Sequence, residues 1–405
     1  MTDIQKENKS GGKVPNLRFP GFEDAWEVKK LGEVATNFMY GMNTAATVYD
    51  GENQYIRITD IDERTRLFTP NPLSSPDGEL EDKYLLEKGD ILFARTGASV
   101  GKSYLYSEKD GKIFFAGFLI RLNVKTENPY FIFSQTLTEK YQKWVLTMSM
   151  RSGQPGINAE EYKLLPIALP SFEEQSEIAF FLSKIDERIQ TQSKIIEGLE
   201  KLKVATAKKI FSQEFRFKDN NGNDFSKWEE MKLKNIVIIQ MGQSPDSSSY
   251  NFENIGIPLI QGNADILNRK SNPRQYTSKP TKFCDVGDLL LTVRAPVGYV
   301  GKSKHYACIG RGICSVKNND KSILEFIYQF LLYFEDKWKS IEQGSTFTAV
   351  NSSDINSINI LLPSIPEQTK IANFLSAIDS KIDMENQLLQ KLEEQKKFLL
   401  QNMFV

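Results

Sequence analysis

LPSFEEQSEIAFFLSKID at residues 169–186 and LPSIPEQTKIANFLSAID at 362–379 agree at 12 of 18 positions, and this repetition governs how the rest of the chain is read. Two further landmarks recur in the same order upstream. Gly89-Asp90 opens GDILFARTGASVGKS and Gly287-Asp288 opens GDLLLTVRAPVGYVGKS, while WEVKKLGEVA from Trp26 pairs with WEEMKLKNIV from Trp228. A spacing near two hundred residues means duplicated domains, because stacked solenoid repeats run at roughly 20–50 residues. Each half therefore predicts a globular module followed by a long helix.

The helix starts are signalled locally. Ser171 with Glu174, and Ser364 with Glu367, have the spacing of a capping box, and Pro366 is tolerated in a first turn. Beyond them Ile178, Phe181, Ile185, Ile189, Ile196 and Leu199 recur at three- and four-residue steps, as do Ile371, Phe374, Ile378, Ile382, Leu389, Leu392 and Leu399. Each set predicts a coiled-coil-like seam, interrupted by polar Gln192, Lys203 and Glu385. Two such stripes most simply pack on each other as an antiparallel pair; the alternative lays each helix on its own module. Short runs rich in Ile, Val, Phe and Leu (YIRITDID, DILFAR, FFAGFLIRLNV, NIVIIQ, IPLIQGNADI, DLLLTVR) predict strands bounded by turns. Helical stretches follow near YFIFSQTLTEKYQKWVLTM and ILEFIYQFLLYFEDKWKSIE. The fold class expected is α+β, with a first module at 1–170, a central helix at 171–213, a second module at 214–363 and a C-terminal helix at 364–405. The polar stretch FSQEFRFKDNNGNDFSKW forms the joint.

Composition narrows the function. The chain has 405 residues, 40% of them hydrophobic and 25% charged, which suits a folded chain of two or three domains. No apolar run approaches the roughly 18–20 residues that span a bilayer, and the opening MTDIQKENKSGGK lacks the apolar core of a signal peptide. Three cysteines (Cys284, Cys308, Cys314) cannot build a disulfide framework, so a reducing, cytoplasmic location is expected. A single histidine, His305, leaves one place for Ser-His or Cys-His nucleophile chemistry.

Catalytic motifs fail on spacing. Gly-Lys-Ser at 101–103 and 301–303 follows Gly97 and Gly298 too closely for a phosphate-cradling loop. Asn128-Pro129-Tyr130 lacks the second proline of an amino-methyltransferase loop, and Asp77 with Glu81-Asp82-Lys83 is too compact for a nuclease core. Cys284, His305, Cys308 and Cys314 do not have zinc-site spacing, so neither metal nor catalytic residues are expected. What remains is a binder. Residues 257–318 carry ten Lys/Arg against three Asp/Glu, whereas 54–125 carry eleven of each. Side chains suited to base readout stand at Arg57, Thr59, Arg95, Thr96, Ser99, Lys102, Arg151, Ser152 and Gln154 in the first half. In the second they stand at Gln243, Ser244, Gln261, Asn263, Arg294, Lys302, Lys304, Arg311, Gln343, Ser345 and Thr346. The framework repeats and these loops differ, so two modules should read two targets. A helix of about 28 residues beyond Asp186 would be about 42 Å long, comparable with one turn of duplex.

These features together resemble the specificity subunit of a type I restriction-modification system. The resemblance covers nearly the whole chain and rests on the tandem halves, the Trp26 and Trp228 starts, the Gly-Asp strands leading to Gly-Lys-Ser, and the doubled LPS…EQ…IA-x-FL-x-x-ID element. It implies two target recognition domains, each reading half of an asymmetric, interrupted site on double-stranded DNA. The helices would be the spacer and the docking surface for two modification (methyltransferase) subunits, joined by restriction subunits with translocase and nuclease activity. S-adenosylmethionine, ATP and magnesium would then sit on those partners and none on this chain, with no membrane involved. The neutral first module is expected to rely on polar base contacts, with Arg57, Arg95, Lys102 and Arg151 as its cations and the partner supplying further charge. A two-headed protein-binding scaffold and an autonomous nuclease or methyltransferase are the competing classes.

Overall fold

The computed structural model describes residues 14–150, 154–342 and 349–405. Two compact units emerge: one runs to Gln192 and includes Leu388–Val405, the other is Ser193–Gln387. Each is α+β and contains a segment of both long helices, which span Phe172–Phe211 and Ile365–Asn402. At 40 residues the central helix is about 60 Å long. No helix among the described residues is long and apolar enough to cross a membrane.

The first unit is built on a four-stranded antiparallel sheet in the order Ala35–Tyr40, Leu119–Val124, Asp90–Ala94, Ser103–Leu105. Its two central strands are buried at every position because both faces are covered, polar Asp90, Arg121 and Asn123 included. Ile91, Phe93, Ile120 and Leu122 enter the main core, while Leu92, Ala94 and Leu119 enter a second cluster on the opposite face. The second unit repeats this frame with Val237–Met241, Ile313–Asn318, Leu289–Thr292 and Val300–Lys302, extended by two short strands. Leu289 and Leu291 face its main core and Leu290 and Ile313 the other side. In each unit one outer pair is parallel: Gln54–Ile56 with Ile113–Phe115, and Ile257–Ile260 with Ala307–Ile309. The Gly-Asp landmarks are turns before a central strand. Gly89 and Gly287 have φ near +90°, and Asp90 and Asp288 accept the N–H of Glu87 and Asp285 at 2.8 Å. The helical stretch after the first sheet breaks at Thr136–Thr138 into Pro129–Gln135 and Glu139–Ser149, and Thr138 caps the second piece.

The doubled helix start serves a different purpose from capping alone. Ser171 Oγ accepts the Glu174 N–H at 3.3 Å, but the Glu174 carboxylate binds Arg18 through two contacts of 2.7 Å. Glu367 likewise takes Arg216 at 3.1 and 2.7 Å and the Trp228 indole N–H at 3.0 Å, while Ser364 Oγ has no partner. The expected capping boxes are therefore corrected: each buried glutamate anchors the peptide that leads into its module. The following glutamine ties the helix to the module. Gln175 Oε1 accepts Asn128 N–H at 3.1 Å, and Gln368 Oε1 accepts Ile323 N–H at 2.8 Å.

Within the first unit the helix segments run antiparallel. Glu174 holds Arg18, whose neighbour Leu17 donates to Asn402 O, and further along Asp186 meets Lys396 at 2.6 Å. In the second unit Lys203 meets Asp379 at 2.5 Å, and Ile210 and Phe211 share a core with Ile371, Ala372 and Leu375. Asp186 and Asp379 occupy the same place in the repeat, so each unit makes the same bridge. The helices also pack on the modules: Ile178, Ile185, Ile189, Leu392 and Leu399 lie in one core with the first sheet, and Leu389 packs against it. Ile196 is buried, Leu199 and Ile382 half-buried, and Ile378 borders the second core. Phe181 borders the first core, whereas Phe374 departs from the expected seam. They pack edge-on against Phe19 and Phe217 at 5.7 and 5.5 Å, Phe374 remaining 42% exposed, and Leu182 and Leu375 one residue later are fully buried.

Candidate functional site

In the second unit the parallel pair Ile257–Ile260 and Ala307–Ile309 delivers two loops to one place. Gly310 N–H donates to Ile260 O at 2.8 Å, Val293 N–H to Gly312 O at 2.9 Å, and Gly242 N–H to Ile313 O at 2.9 Å. The loops touch so closely that a Cβ on Gly312 would lie 2.3 Å from Gln261 O. Gln261 N–H donates to Asp265 at 2.8 Å, and the same carboxylate takes Arg274 at 2.8 Å. The result is a cleft of about 360 Å³ lined by Ser244, Tyr250, Gln261, Asn263, Arg294 and Arg311, with no carboxylate in its wall. Five of these six are residues the sequence nominated; Tyr250 was not. Arg294 and Arg311 are exposed. Ser244 Oγ accepts both the Arg311 backbone N–H at 3.1 Å and its Nε at 3.3 Å. Asn263 Oδ1 is buried with no hydrogen-bond partner.

The first unit reproduces the scaffold of this cleft with other side chains. Ala116 N–H donates to Ile56 O at 3.0 Å, Arg95 N–H to Phe118 O at 3.1 Å, Gly41 N–H to Leu119 O at 3.2 Å, and Arg57 N–H to the Asp60 carboxylate at 2.9 Å. Thr96 bridges Gly156 as Arg294 bridges Ala349. The matched bonds align Arg57 with Gln261, Thr96 with Arg294, Gly117 with Arg311, and Phe118 with Gly312. Phe118, 63% exposed, was not nominated; its signal is an apolar residue beside Gly117 in an otherwise buried run.

The remaining nominations divide. Arg57 is half-buried and gives both arms to Asp60 at 2.8 Å, which raises its pKa. Arg95 stacks over Tyr40 at 4.8 Å, Ser99 Oγ donates to Glu63 at 3.3 Å, and Thr59 and Gln154 are exposed. Lys102 is corrected: only 5% exposed, it donates to Ile58 O and Ile61 O at 3.2 and 3.0 Å and pairs with Glu63. Lys302 is corrected likewise, since its ammonium lies 2.5 Å from Glu325 and over the Tyr328 ring. Gln243 and Lys304 are exposed. Arg151, Ser152, Gln343, Ser345 and Thr346 lie outside the described residues.

Ion pairing also shrinks the basic excess. Arg269, Lys270, Arg274, Lys302 and Lys317 pair with Glu335, Asp383, Asp265, Glu325 and Asp285. Among the described residues Lys279, Lys282, Arg294, Lys304 and Arg311 make no ion pair, and two of these line the cleft.

Comparison with known proteins follows this duplication. The family model for the type I restriction modification DNA specificity domain matches residues 23–201 and again 225–394. The MjaX type I restriction enzyme specificity subunit of Methanocaldococcus jannaschii is 36% identical over 331 residues, 78% of each chain. The MjaVIII specificity subunit of the same organism is 25% identical over 95% of this chain and 92% of its own. Among solved structures, a type I restriction-modification system S subunit from M. genitalium has a TM-score of 0.62 at 18% identity, over 97% of this chain and 99% of that one. A chain from a structure addressing complex assembly and conformational transition of the type I R-M system has a TM-score of 0.60 at 23% identity, covering 94% and 97%.

Proposed function

Because this chain belongs to the type I restriction-modification specificity-subunit family, we propose that each of its two modules reads one half of an asymmetric, interrupted site on double-stranded DNA. The observation that carries this reading is the pair of matched loop scaffolds. Their backbone bonds coincide, yet they display Arg57, Thr96, Gly117 and Phe118 in one module and Gln261, Arg294, Arg311 and Gly312 in the other. Direct readout needs supported polar and apolar groups at a groove, and different groups read different bases.

The helix pair, in this reading, sets the spacing between half-sites and docks two modification subunits, which restriction subunits then join. Adenine methylation and cleavage belong to those partners, which hold S-adenosylmethionine, ATP and magnesium, and this chain is non-catalytic on its own. The complex works in the cytoplasm. The test is genome-wide mapping of methylated adenines in cells expressing this chain with a modification subunit. One interrupted motif is expected, altered in one half when residues 1–170 are exchanged and in the other when 214–363 are exchanged. No motif from a folded, assembled pair of chains would reject the reading and favour a protein-binding scaffold.

A further inference from the structure

Resting on the two-reader proposal, we propose further that the cleft of the second module reads a G·C pair, with Arg311 on its guanine. Arg311 is the most constrained cation there. Its neighbours Gly310 and Gly312 are fixed by backbone bonds to Ile260 and Val293, and Ser244 holds both its N–H and its Nε. With Nε engaged by Ser244, the two terminal nitrogens are left as a fork, which limits the rotamer freedom lost on binding. A fork of two donors fits two adjacent acceptors. In the major groove guanine O6 and N7 supply that pair, whereas adenine places a donor next to its acceptor.

No carboxylate lines the cleft to compete for the guanidinium: Asp265, beneath it, is occupied by Gln261 N–H and Arg274. In the first module Gly117 stands where Arg311 stands and Thr96 where Arg294 stands, so that slot carries no equivalent demand for guanine.

The experiment is motif mapping, as above, for the wild type and for Arg311→Ala and Arg311→Lys, each with the same modification subunit. The wild-type half assigned to residues 214–363 should contain a guanine. In Arg311→Ala that position should relax, its preference over other bases falling by about 5- to 140-fold, with the first half unchanged. Arg311→Lys keeps the charge and loses the fork, so it should relax the same position to a lesser degree. The inference is overturned if that half has no guanine, if its guanine preference survives Arg311→Ala, or if all positions in both halves weaken equally while Arg311→Lys behaves as wild type. In each case the interrupted motif would persist and the two-reader proposal would stand. Absence of any interrupted motif in the wild type would reject both.

Discussion

Glu367 is the point at which the second module is tied to its helix, and Glu367→Ala tests that directly. The carboxylate is fully buried and receives three donors: Arg216 Nε and Nη2 at 3.1 and 2.7 Å, and Trp228 Nε1 at 3.0 Å. Removing one partner of a fully buried pair costs about 3–5 kcal/mol. Here Arg216 is 25% exposed and keeps contacts with Phe225 O and Ser226 O, so its share falls to about 1–2 kcal/mol. The indole has no second acceptor and adds about 1–2 kcal/mol. The expected loss is therefore about 2–4 kcal/mol. Glu367→Gln keeps an oxygen for the indole and should lose roughly half as much. Urea unfolding of the intact chain, followed by tryptophan fluorescence, reads the difference as a midpoint shift of about 1 M for the alanine variant, at a slope near 3 kcal/mol/M. A loss below about 1 kcal/mol, or equal losses for Ala and Gln, would refute the anchoring role.

Other substitutions separate structure from recognition. Lys102→Met, which removes the ammonium donor from the Ile61 carbonyl and leaves Ile58 O only the Ile61 N–H at 3.4 Å, should cost about 1–3 kcal/mol in thermal unfolding yet leave the salt dependence of DNA binding unchanged. Lys304→Ala should do the reverse, lowering the salt slope by about one with stability and motif intact. Gly312→Ala drives a methyl into Gln261 O, so motif mapping should show a blurred second half-site and an unchanged first one. All three cysteines are buried, and burial pushes Cys314 up to about 12; the native chain should leave them unmodified by a thiol reagent at pH 8, with three reacting after denaturation.

Much of this architecture was legible because duplication compares each half with the other. The tandem modules, the long helices and their apolar stripes all follow from it. What stayed hidden was the side-chain partner. Glu174 and Glu367 have cap spacing, but their arginines lie 156 and 151 residues away in sequence. Arg18-Phe19 and Arg216-Phe217 are themselves a repeat, obscured because they precede Trp26 and Trp228 by different lengths. Lys102 and Lys302 look alike in Gly-Lys-Ser and both turn inward, to loop carbonyls and to Glu325 respectively. A basic residue's burial is invisible until the partner is placed, and for this reason the apparent cationic stretch at 257–318 overstated its free charge.

The same comparison separates framework from reader on physical grounds. Framework contacts that recur between modules run through side chains: arginine on glutamate, glutamine on a backbone N–H, aspartate on lysine of the facing helix. A side-chain contact constrains the residue that makes it, so these positions carry the same residue type in both halves. The loop scaffolds are instead held mainly by backbone-to-backbone bonds, which hold whatever side chain is attached. Arg57 can face Gln261, and Gly117 face Arg311, with no framework bond altered. Substitutions of exposed side chains at Thr59, Arg294 and Arg311 should accordingly change stability by less than about 0.5 kcal/mol while changing the motif. Gly312 is the exception that the geometry marks in advance, because there the close approach is made by the backbone itself. A module whose reading residues bear so little of its stability can change its target without rebuilding its fold.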